Sequence, residues 1–181
     1  MKLEQNDGVV LKRDVQVTII PHGQDMPMPA GTLVRVVQNL GGAHTIDVNG
    51  NWFLVHEEDI DALGASPDPA HTAYLHSDLS IKDKVWAALK QCYDPEIPVD
   101  IVSLGLVYHV DCFTQDQAQH VAITMTLTSP GCGMGPVMVM SAKKKIFAIP
   151  GVADVEIELV FDPPWGREMM SDEAKLTLGV I

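Results

Sequence analysis

Apolar positions recur along this chain in two rhythms, and the change between them marks its organisation. In the first third the period is two. Val15, Val17 and Ile19 alternate with polar neighbours, as in a strand that buries one face. Pro27, Pro29 and Gly31 break that pattern before a second strand over Leu33–Val37. His44–Val48 and Trp52–Val55 flank Asn49-Gly50, a strong hairpin signal because both residues tolerate positive φ. Glu57–Leu63 predicts one short helical turn, closed by Gly64. Four or five short strands predict a small all-β, barrel-like or SH3-like domain over residues 1–64. Residues 65–77 have the composition of a linker.

Beyond the linker a helical period appears. Ser80 is placed as an N-cap with Asp83 at the third position, and Ile81, Val85, Leu89 and Cys92 form one apolar stripe. Pro95 and Pro98 stop it, and a loop carrying Asp94, Glu96 and Asp100 leads into a strand over Leu106–Cys112. Val121, Ile123, Met125 and Leu127 alternate with Ala122, Thr124, Thr126 and Thr128 as a second strand. From Pro136, suited to a first helical turn, Val139, Ala142, Ile146 and Ile149 recur at helical spacing until Pro150-Gly151. Val155, Ile157, Leu159 and Phe161 give a third strand, and Ser171 caps a last short helix. Residues 78–181 therefore predict helix–strand–strand–helix–strand–helix, an α+β domain with helices packed on a small mixed sheet.

Composition narrows the function classes. The 181 residues carry 12 basic and 24 acidic side chains, a net charge of -12. That charge repels phosphate backbones and argues against a nucleic-acid partner. No apolar run is long enough for a membrane span and no signal-peptide pattern opens the chain, so a cytoplasmic protein is expected. The three cysteines (Cys92, Cys112, Cys132) are widely spaced, which argues against a disulfide framework or a closed zinc site. Cys92 and Cys112 fall on apolar faces and read as structural. The seven histidines show no ligand spacing and read as surface or strand residues.

The candidate chemistry lies in Thr128-Ser129-Pro130-Gly131-Cys132-Gly133-Met134-Gly135-Pro136. This glycine-rich loop runs from a strand into a helix and places Cys132 near unpaired helix N-terminal amides, which favour thiolate. Thiolate binds soft metals, ligates iron–sulfur clusters or attacks electrophiles. The bland alternative is a small buried apolar residue. Gly131 and Gly133 argue against it by leaving the sulfur few side-chain neighbours.

Asp94-Pro95-Glu96-Ile97 with Leu104-Gly105-Leu106-Val107, then Thr128 four residues before Cys132, then Pro164-Trp165 with Met170-Ser171, together resemble the PaaD/SufT-type iron–sulfur assembly family. The resemblance spans residues 78–181 and its motifs come in the family's order. Gly133 departs from it, since many relatives have proline directly after the cysteine, and Asp100 stands where relatives often have asparagine. The resemblance implies an auxiliary maturation factor, not an enzyme with its own turnover. By it, Cys132 is the reactive residue and possible metal contact, with Asp94, Thr128, Glu96, Gly131 and Gly133 shaping the loop. It implies a labile iron–sulfur cluster or iron, none tightly bound. Its implied partners are the assembly machinery, client apo-proteins and a second copy of the chain. One thiolate cannot supply the four protein ligands that common clusters use, which fits transient holding. Two other classes compete: a cysteine-dependent thiol hydrolase or redox protein, and a pure adaptor without metal.

Overall fold

The computed structural model describes residues 8–180. The chain divides into two units, one ending at His71 and the other beginning at Thr72. The first holds β1 (Gly8–Val10), β2 (Val15–Ile19), β3 (Gln24–Met28), β4 (Leu33–Leu40), β5 (Ala43–Val48) and β6 (Asn51–Val55). They form one sheet in the order β1-β4-β5-β6-β2-β3, every pairing antiparallel. Val15, Val17, Val34, Val36, Ile46 and Val55 supply its buried face. Asn49 and Gly50 take φ of 54° and 84°, the conformation of a tight hairpin turn. Glu57–Leu63 is a 3-10 helix closed by Gly64 in the left-handed conformation.

Two features differ from the sequence expectation. The segment expected to break at Pro27 is the strand β3, with Pro27 paired opposite Gln16. β3 lies at the sheet edge, where one side has no neighbour and a missing N–H is tolerated. The stretch read as linker contains a 3-10 helix, Pro69–His76. Asp68 starts it, accepting from the Ala70 amide through Oδ1 and from the His71 amide through its carbonyl.

The second unit holds α1 (Ile81–Leu89), β7 (Val107–Gln115), β8 (Ala118–Met125), α2 (Gly135–Phe147), β9 (Val152–Leu159) and α3 (Asp172–Leu178). β7 and β8 pair antiparallel, whereas β8 and β9 pair parallel, so α2 is the crossover between them. The Ser80 hydroxyl accepts from the Asp83 amide and donates to the Asp83 carboxylate, capping α1. Ser171 caps α3 by accepting from the Ala174 amide. Val85, Ala88 and Leu89 of α1 and Met138, Ala142 and Ile146 of α2 are buried with Val121, Ile123 and Met125 of β8. Cys92 joins that core at 1% exposure. Cys112 is half-buried on the side of Val110, and burial pushes its thiol pKa up.

Candidate functional site

The three motifs converge on one end of the β7-β8-β9 sheet. Val107 opens β7 opposite Met125, which closes β8, and Met125 pairs with Leu159, which closes β9. The Asp94–Leu106 loop therefore enters the sheet where the Thr126–Met134 and Val160–Met170 segments leave it. The carboxyl ends of parallel strands are where open α/β sheets place their ligands. The strand read as reaching Leu127 stops at Met125. Beyond it, the Thr126 amide bonds the Leu106 carbonyl at 2.8 Å and the Val160 amide bonds the Met125 carbonyl at 2.9 Å.

Asp94 is 3% exposed and its Oδ1 accepts from the Glu96 amide at 3.0 Å. Burial raises its carboxyl pKa, partly opposed by that amide bond. The Ile97 amide closes the turn on the Asp94 carbonyl. Glu96 enters this arrangement through its backbone, and its side chain is exposed. Asp100 accepts from the amides of Val102 and Ser103 at 3.0 and 2.9 Å, which gives its carboxylate a turn-forming role.

Cys132 is half-buried and packs against the main core, with exposed Gly131 and Gly133 on either side. Its amide donates to the Ser129 carbonyl, and the Gly135 amide donates to the Cys132 carbonyl, both at 3.2 Å. Pro136 has no N–H. These loop bonds engage amides that the sequence reading left open around the sulfur. α2 begins two residues after Gly133, with Met134 as its N-cap. Gly131, Gly133 and Gly135 all avoid the left-handed region. At Gly135 a Cβ would lie 2.6 Å from Leu127 Cδ1, so a larger residue there would displace that buried side chain. That close approach docks the start of α2 on the residue preceding Thr128, which is itself half-buried.

The closing motif acts as a strap over the opening one. Trp165 Nε1–H donates to the Leu104 carbonyl at 2.8 Å, and the Ser171 amide donates to the Ser103 carbonyl at 2.9 Å. Tyr108 donates its hydroxyl to the Pro163 carbonyl at 2.9 Å. Gly105, with φ of +74°, lies directly beneath the Met169 backbone.

Thr126 was missed by sequence reasoning. It is fully buried, and its hydroxyl has no hydrogen-bond partner, an unusual state for a buried polar group. Its place in a Thr124-Thr126-Thr128 alternation gave no signal to separate it from its neighbours. Among the described residues, no three His, Cys, Asp or Glu side chains are grouped to hold a metal ion. Cys132 is thus a single potential ligand. His120 stacks on Phe113 and stands 3.9 Å from Asp154. It lies five positions along β8 from Met125, roughly 16 Å from the loop end of that strand. His109, exposed and paired opposite Thr124, is the histidine nearer that end.

Residues 82–159 match the family described as iron-sulfur cluster assembly protein. The Fe-S protein maturation auxiliary factor YitW of Bacillus subtilis is 48% identical over 101 residues, which cover 56% of this chain and 96% of that protein. The Fe-S protein maturation auxiliary factor SufT of Staphylococcus aureus is 46% identical over 87 residues, covering 48% and 96% respectively. The crystal structure of a domain of unknown function, DUF59, from Bacillus anthracis superposes with a TM-score of 0.50 at 41% identity, covering 56% of this chain and 93% of that one.

Proposed function

Because this chain belongs to the iron–sulfur cluster assembly protein family, we propose that it is an auxiliary factor in iron–sulfur protein maturation that uses Cys132 to hold or deliver iron or a cluster transiently. The observation that carries this reading is the convergence of the three motifs, with a lone accessible cysteine, at one end of the sheet. A single thiolate fits cargo that is passed on. The other ligands come from a small thiol, a client apo-protein, the assembly machinery or the Cys132 of a second copy in a homodimer. Asp94, Thr128, Glu96, Gly131 and Gly133 shape the loop, with Asp94 acting through its bond to the Glu96 amide. The first unit, read as a barrel-like module, docks partners, and the protein works in the cytoplasm without nucleic acid or membrane.

Anaerobic reconstitution with iron and sulfide tests this directly. The wild-type chain should develop visible cluster absorbance, and Cys132→Ala should lose most of it. Equal absorbance in both would remove Cys132 as a ligand. The packing of Cys132 against the core favours one second reading, an adaptor in which the thiol is structural. In that case Cys132→Ala would still mature client enzymes in cells lacking the native protein.

A further inference from the structure

The first unit contains a cleft of about 280 Å³ lined in part by His44, His71, Asp68, Asn39, Ser66 and Ile60. His44, on β5, is 2% exposed, and neither of its ring nitrogens has a hydrogen-bond partner. The Nδ1 atom of His71 is likewise buried and unpaired. Buried imidazoles are normally satisfied. Half-buried His56 in the same unit is partnered, with Nε2 2.8 Å from Thr18 Oγ1. Three buried imidazole nitrogens without a protein partner thus border one cleft.

We infer that His44 and His71 together bind one exchangeable divalent first-row transition-metal ion in this cleft. Metal binding uses the lone pair of a neutral imidazole, and burial keeps His44 neutral by lowering its pKa. The Gly42 backbone partly opposes that effect without meeting hydrogen-bond geometry. Two imidazoles and the Asp68 carboxylate lining one cleft are a donor set that suits a cation. No third His, Cys, Asp or Glu closes the set among the described residues, so water fills the other positions and the ion exchanges readily. The site does not rest on the maturation role proposed above.

The test uses the full chain carrying Cys132→Ala, so that the thiol cannot contribute, titrated anaerobically with cobalt(II). Visible absorption should saturate at one cobalt per chain without a thiolate charge-transfer band. Adding His71→Ala or His44→Leu should each weaken binding at least tenfold. His44→Leu replaces an unsatisfied buried ring with an apolar side chain, so its thermal midpoint should be unchanged or higher. Loss of binding in that variant is then not loss of fold, and half-exposed His71 provides an independent check. Absence of saturable binding would mean the cleft holds water alone. That result, or binding indifferent to both histidines, overturns the site and leaves the Cys132 reading untouched.

Discussion

Gly105→Ala should loosen the Pro163–Ser171 strap from the loop it covers. Alanine at φ of +74° costs about 1–2 kcal/mol in backbone strain. Its Cβ would also fall 2.3 Å from the Met169 carbonyl oxygen and 2.7 Å from the carbonyl carbon. These are backbone atoms, so the strap itself must move, and such overpacking adds about 1–3 kcal/mol. The sum is about 2–5 kcal/mol. In a unit of this size each kcal/mol lowers the midpoint by about 4–8 °C, so a fall of about 8 °C or more is expected. Thermal unfolding followed by tryptophan fluorescence is the assay. Trp165 reports twice, since release of its bond to Leu104 should also red-shift its emission before the transition. Gly131→Ala is the control: φ there is not left-handed, and an added Cβ would meet nothing within 4 Å. It should stay within about 0.5 kcal/mol of wild type. A Gly105→Ala midpoint indistinguishable from the control would refute the close-approach argument.

Asp94→Asn keeps an oxygen for the Glu96 amide but removes a carboxyl whose pKa burial raises. The native wild type holds a proton that the unfolded chain releases near about pH 3.9, so its stability falls as pH rises from there through the folded pKa. Denaturant unfolding from pH 4 to 7 should show that slope in the wild type and not in the variant, which should be at least as stable at neutral pH. Should the variant lose stability most at pH 7, the burial argument fails. Trp165→Phe should cost about 1 kcal/mol through the lost hydrogen bond to Leu104, measured by the same denaturation. Ser80→Ala should cost about 1 kcal/mol by uncapping α1, and Ser80→Thr, which restores both the acceptor for the Asp83 amide and the donor to its carboxylate, should recover most of it.

Local chemistry was legible in the sequence wherever neighbours along the chain determine it. The Asn49-Gly50 turn, the Ser80 and Ser171 caps and the inward placement of Cys92 follow from residue type and spacing alone. β3 was illegible because whether proline breaks a strand depends on its rank in the sheet, which no local window contains. The site divides the same way. Cys132 and Asp94 were visible as residue types, but the bonds that set their surroundings join distant segments. Trp165 reaches Leu104, and the Thr126 amide reaches Leu106. The two histidines of the cleft were set aside for lacking ligand spacing, and only the fold brings a strand residue and a 3-10 turn residue to one cavity.

The strap also orders events during synthesis. Trp165 follows the Leu104 carbonyl it bonds by 61 residues, so the loop bearing Asp94 leaves the ribosome well before its cover exists. At about 5–20 residues per second that interval is roughly 3–12 s. Throughout it the Ser103 and Leu104 carbonyls must be satisfied by water or a chaperone. A nascent chain thus carries the Asp94 loop uncovered until its final segment closes over the turn, and C-terminal truncation should leave that loop uncovered in the finished protein.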